Sequence, residues 1–146
     1  MSSRQEQAIA TFQSGANCAQ SVVTTYAQAL GFDAGLAENL ALGFGGGMGR
    51  LQNTCGAVTG AFMVLGIYNA DKYDELKERK QKTAEMVQAF NARFTEMHGS
   101  TQCRTLLGVD LMTEEGREQL HTGGLHVTVC EQCIAHAVDI LDEMLK

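Results

Sequence analysis

The sequence predicts an all-α protein, a compact single-domain helical bundle of about five to seven helices spanning residues 1–146. There is no proline and only 6% aromatic content, while Ala, Leu, Met, Gln and Glu abound, so nothing interrupts long i to i−4 hydrogen-bond ladders. At 146 residues and 45% hydrophobic, the chain is long enough to bury a core without disulfide staples.

Gln5 to Phe12 forms a short covering helix with Ala8, Ile9 and Phe12 on one side and Gly15 after its end. Asn17 caps a second helix whose Val22, Val23, Tyr26, Ala27 and Leu30 share a face, and Gly31 stops it as a C′ residue. Cys18 lies four residues before Val22, near that inward stripe. A shorter helix from Ala34 to Leu42 is expected to turn Leu36, Leu40 and Ala41 inward.

The segment Gly43-Phe44-Gly45-Gly46-Gly47-Met48-Gly49-Arg50 follows. Each glycine costs conformational entropy on folding, so this density implies positive φ or close approach of the backbone to another group. Its amides are expected to line an anion or thiolate site, and the pattern matches neither Gly-x-Gly-x-x-Gly nor a P-loop. The next helix, Cys55 to about Tyr68, carries a face of Gly56, Ala57, Gly60 and Ala61 that lets a neighbour come close, which marks it as the central helix.

Asp71 to His98 is the longest periodic stretch. Leu76, Thr83, Met86, Val87, Phe90, Phe94 and Met97 form its inner stripe, with Lys77, Glu78, Arg79, Lys80 and Lys82 facing outward. Gly99 ends it, a short helix from Thr101 to Gly108 follows, and Thr113 opens another that Gly123-Gly124 breaks. Thr128 with Glu131 reads as a capping box starting the last helix, whose apolar stripe is Ile134, Ala137, Val138, Leu141 and Leu145.

A net charge of −6 with no long basic cluster disfavours nucleic acid as a partner. The polar N-terminus lacks the apolar stretch of a signal peptide, and the longest apolar run, Ala61 to Tyr68, is too short for a bilayer. No membrane association and a cytoplasmic location are therefore expected. Thiols stay reduced there, so five cysteines read as catalytic, redox-sensing or metal-binding before they read as a disulfide framework.

Cys18, Cys55, Cys103 and Cys130 each read as lying in the first turn of a helix, where unpaired N–H groups and the helix dipole favour thiolate over thiol. Cys130-Glu131-Gln132-Cys133 is a Cys-x-x-Cys pair. Ile134 after it excludes c-type haem attachment, and the absence of a second such pair weakens a zinc ribbon or ferredoxin reading. Asn17, Gly56, Arg50 and Arg104 stand beside cysteines as supporting residues, the arginines as thiolate stabilisers. The four histidines carry little signal, although His136 lies within reach of Cys133.

The motifs Gly15-Ala16-Asn17-Cys18-Ala19-Gln20, Phe44-Gly45-Gly46-Gly47-Met48-Gly49, Cys55-Gly56-Ala57-Val58-Thr59-Gly60-Ala61 and Cys103-Arg104-Thr105-Leu106-Leu107-Gly108, with Cys130 ahead of the terminal helix, resemble the redox-active C_GCAxxG_C_C family. The resemblance runs from about Gly15 to the end and implies redox chemistry without naming a reaction. It places Cys18, Cys55, Cys103 and Cys130 at the family's four cysteines. Here Cys55 precedes Gly56 where the family's name sets Gly before Cys, while Ala57 and Gly60 keep their spacing. Cys133 is additional to the pattern and reads first as a buried hydrophobe.

Two chemical readings share these four residues, and a third uses none. The first is thiol–disulfide oxidoreduction, with no cofactor and Cys55 as the attacking, most accessible thiolate. In the second, the same four cysteines ligate an iron–sulfur cluster or other metal for electron transfer. The third is a helical interaction module, with homodimerisation through the Gly/Ala face. A redox partner, protein or small molecule, is implied by the first two.

Overall fold

The computed structural model describes residues Met1–Lys146 and contains nine α-helices and no β-strand. They are α1 (Ser3–Gln13), α2 (Cys18–Thr25), α3 (Ala27–Leu30), α4 (Ala34–Leu40), α5 (Gly56–Lys72), α6 (Leu76–His98), α7 (Cys103–Leu107), α8 (Glu114–Thr122) and α9 (Glu131–Met144). A 3-10 turn at Leu42–Phe44 leads into the glycine segment, and a π-helical turn at His126–Cys130 runs directly into α9. No helix is long and apolar enough to cross a membrane.

Helix α5 is central, as its small-residue face predicts. It packs on α2, α6 and α9, while α1 closes the other side against α9 and α2. A Cβ on Gly60 would stand 2.8 Å from the Ala19 carbonyl oxygen, so the α2–α5 contact is backbone against backbone. The core is Val22 and Val23 from α2, Tyr26 at the junction with α3, Val58, Val64 and Leu65 from α5, Phe90 and Phe94 from α6, and Ile134, Val138 and Leu141 from α9. Each such large apolar side chain, fully buried, stabilises the fold by about 1.5–3 kcal/mol. The buried Tyr26 hydroxyl donates to Asp142 Oδ1 at 2.8 Å, and Arg4 Nη1 meets the same oxygen at 2.9 Å.

Several predicted boundaries shift. The second predicted helix breaks at Tyr26 into α2 and α3, with Gly31 left-handed at its end as expected. The long stretch divides at Tyr73–Glu75, so α5 runs on to Lys72 and α6 begins at Leu76, which is exposed. In α4, Leu36 and Leu40 face solvent and the small Ala37 is buried instead, with Ala41 just beyond. So short a helix docks through its smallest residues, held by Gln20 Nε2 donating to the Glu38 carbonyl at 3.0 Å.

Candidate functional site

At one end of the bundle, four segments bring all five cysteines to the wall of a single cleft of about 890 Å³. Asn17 anchors the first. Its Oδ1 accepts the Gln20 N–H at 2.8 Å, the Gln20 Oε1 accepts the Asn17 N–H at 2.9 Å, and its Nδ2 donates to the Leu42 carbonyl at 3.1 Å. This reciprocal cap starts α2 at Cys18 and ties it to the foot of the glycine segment.

That segment is wound against the usual handedness. Gly46, Gly47, Met48, Gly49 and Arg50 have φ of 63°, 68°, 69°, 59° and 63°, and Gln52 has 58°. Left-handed geometry costs a non-glycine residue about 1–2 kcal/mol, so Met48, Arg50 and Gln52 are held there by their surroundings. The N–H groups of Gly49, Gln52 and Asn53 donate back to Gly43, Gly46 and Gly47 at 2.9, 3.0 and 2.9 Å. Within the segment the N–H groups of Met48, Gly49 and Arg50 are taken up by the Phe44, Gly43 and Gly45 carbonyls, whereas those of Gly45, Gly46 and Gly47 have no backbone partner, and these three residues line the cleft. The glycines also set spacing: a Cβ on Gly47 would meet Cys103 Cβ at 2.7 Å, and one on Gly56 would meet Cys18 Cβ at 3.0 Å. Two short hydrogen bonds, Cys55 N–H to Thr101 O and Cys103 N–H to Asn53 O, both 2.7 Å, then fasten the third cysteine beside the second.

The helix-start placement holds in part. Cys18 and Cys103 are first residues of α2 and α7, and Cys55 is the residue before α5. Cys130 is different, because the helix already begins at the π turn and Thr128 does not cap it. Its hydroxyl donates to the Gly124 carbonyl at 3.1 Å, the back-bonding habit of a threonine inside a helix. Cys55 is not the most accessible thiol either, being only 7% exposed. Cys103 and Cys133 are likewise buried, and Cys18 and Cys130 are half-buried.

The thiols act on one another in neighbouring pairs, Cys18 with Cys130 and Cys55 with Cys133, through hydrogen bonding that links their protonation, and all five are free. The bond from Cys133 holds the Cys55 thiol below the ordinary range against the opposing effect of burial, and the N–H groups of Ala57 and Val58 at the start of α5 lower it further. Cys133 is raised, first by giving that hydrogen bond and then by burial. Of the two, Cys55 at the helix terminus is the sulfur favoured as thiolate, and Cys133 the one that keeps its proton. Cys18 is raised well above the ordinary range, first by its bond to Cys130 and then by burial. Cys103 is pushed up to about 12 by burial and the neighbouring sulfurs, with Gln52 acting the other way.

Arg50 lines the cleft, whereas Arg104 is exposed, lies 3.7 Å from Asp110 and does not line it. Arg117, His121 and His126 line it as well and have no sequence signal, being far along the chain from any cysteine motif except Cys130. Arg117 Nη1 donates to the Leu111 carbonyl at 2.9 Å. The buried Gln52 amide ties the glycine segment to the same wall, donating to Val109 O and accepting from Leu111 N, both at 2.8 Å. His136 Nδ1 lies 2.9 Å from His98 Nε2, outside the lining of the cleft. No three His, Cys, Asp or Glu side chains are arranged to hold one metal ion.

Fold and site together define a class, an all-helical protein that gathers cysteines remote in sequence into one cleft. The chain belongs to the C_GCAxxG_C_C family, whose model, described as "Putative redox-active protein (C_GCAxxG_C_C)", matches residues 16–144 and so takes in all five cysteines. It is also similar to an "Uncharacterized protein" of Archaeoglobus fulgidus, 26% identical over 138 residues that cover 89% of this chain and 85% of that one. No solved structure matches.

Proposed function

We propose that this redox-active protein works by thiol–disulfide exchange, with Cys55 as the attacking thiolate and Cys133 as the thiol that resolves the mixed disulfide. The observation that carries the reading is that Cys55 and Cys133, both buried and free, line one cleft as neighbours, Cys55 at the start of α5 being favoured as thiolate while Cys133 keeps the proton. Cys55 Sγ attacks one sulfur of a disulfide RS–SR, forming Cys55–S–SR and expelling RS⁻. Cys133 then gives its proton to the expelled RS⁻ and attacks Cys55 Sγ, the Cys55–SR bond breaks, and a second RS⁻ leaves and takes a proton from water. The substrate gains two electrons as two thiols, and the protein carries the new disulfide.

Paired sulfurs favour this reading over a metal-held electron carrier, because no three of them surround one point as a shared ion requires. The gathering of the cysteines also favours it over an interaction module with incidental thiols. The test is single-turnover reaction with 2-hydroxyethyl disulfide, followed by mass spectrometry of peptides. The native chain should end with a Cys55–Cys133 bond and no adduct, and Cys133→Ser should retain an adduct on Cys55. Cys55→Ser should react on the order of tenfold more slowly at pH 7. Equal rates for the native chain and Cys55→Ser, or stoichiometric iron after anaerobic purification, would overturn the proposal.

A further inference from the structure

We infer that the cleft takes small anionic disulfides, with Arg50 and Arg117 receiving their negative charge; this rests on the thiol–disulfide reading above. Size is the first argument. Cys55, Cys103 and Cys133 are buried yet line the cleft, so a reacting disulfide must enter it. Its volume of about 890 Å³ falls within the 300–1,000 Å³ range of small-molecule sites, and a small disulfide enters such a cleft more readily than one held on a folded protein surface.

Charge is the second argument. Over the whole chain 17 acidic residues outnumber 11 Lys and Arg, but at the cleft Arg50 and Arg117 face a single carboxylate, Glu131. Glu131 Oε2 is engaged by Gln13 Nε2 at 3.3 Å. Neither arginine is among the ion pairs of the molecule, and half-buried Arg117 makes one backbone hydrogen bond, leaving the rest of its guanidinium donors for a ligand. A thiolate attacking a carboxylate-bearing disulfide gathers like charges, and guanidinium groups on the wall of the same cleft that take up the carboxylates offset that repulsion.

Rates with 3,3′-dithiodipropionate (two carboxylates), 2-hydroxyethyl disulfide (neutral) and cystamine (two ammonium groups) test this, each divided by the same reagent's rate with a free cysteine peptide. That division removes differences in leaving-group pKa. The normalised rate should be about tenfold higher for the dianion than for the neutral reagent and lower again for cystamine. Arg117→Gln and Arg50→Asn, the latter suited to a left-handed residue, should each lower the dianion-to-neutral ratio, and Arg117→Lys should retain it. Insulin, with its disulfides on a folded chain, should react slowest. A neutral reagent faster than with peptide, but equal normalised rates across the three, overturns the charge inference and leaves the thiol reading standing. Insulin reduced as fast as the dianion overturns the size argument. If all three reagents are no faster than with peptide, the thiol reading falls and takes this inference with it.

Discussion

Around Phe90 and Phe94 the helices are spaced by rings. Phe62 meets Phe90 edge-on at 5.8 Å between centroids, Phe90 stacks on Phe94 at 6.1 Å, and Phe94 on His98 at 4.5 Å. Around Cys18 and Cys103 the elements are spaced by missing side chains, since Gly56 and Gly47 stand where any Cβ would strike a cysteine. The first region gains its stability from apolar area and tolerates exchange of one apolar shape for another of similar volume. In the second, backbone is placed against backbone, so relative positions of sulfurs are set with little freedom to relax. A site whose chemistry depends on sulfur-to-sulfur distance is better served by the second kind of contact.

The largest effect that separates the regions should come from Phe90→Ala. It should cost about 3–5 kcal/mol in urea unfolding, while the surviving folded protein keeps its rate with small disulfides. A lost thiol rate at full folding would break the separation. Next come two glycines compared with each other. Gly47→Ala places a Cβ 2.6 Å from Gln52 Cα at a φ of 68°, and should cost on the order of 3 kcal/mol and slow thiol exchange as well. Gly66→Ala in α5 has nothing within 4 Å and should instead stabilise by about 0.5–1 kcal/mol, as a glycine removed from a helix interior. Similar unfolding midpoints for the two variants would deny that close approach governs the cysteine end.

The smallest effect is a pH dependence. In the folded chain His98 titrates below the ordinary imidazole range because burial and then His136 oppose its cation. His126 does so because of burial and then His121, with Glu131 opposing. The unfolded chain binds these protons first as pH falls, so stability should be full above pH 6.5 and decline below it, levelling off once the folded histidines are protonated. Urea midpoints measured from pH 7.5 to 5 check this, and His98→Asn should flatten the curve. A midpoint that rises on acidification would contradict it.

The helical class, the central position of α5 and the Asn17 cap were legible because each rests on local chemistry: absent proline, a Gly/Ala face, an Asn followed three residues later by Gln. The gathering of Cys18, Cys55, Cys103 and Cys130 was legible only as a repeated motif context, since distances between remote segments leave no mark in a local window. Cys133 as the partner of Cys55 was missed because one buried cysteine on an apolar stripe looks like any small hydrophobe. Thr128–Glu131 misled for a related reason. A capping box requires an extended residue at its head, and the chain was already helical from the π turn. Arg117 could have been suspected only from its own helix, where Leu120 and His121 follow it at i+3 and i+4 toward the same side.

Viewed in a mirror, Gly46–Arg50 would carry the φ values of ordinary right-handed residues. For a chain of L-residues the reflection is not neutral: of the natural side chains only the achiral one enters it freely, and Met48 stands inside it with a stereocentre. Random substitution here should therefore be sorted by chirality before size or polarity, with glycine welcomed at Met48 and the β-branched residues refused, whatever their volume.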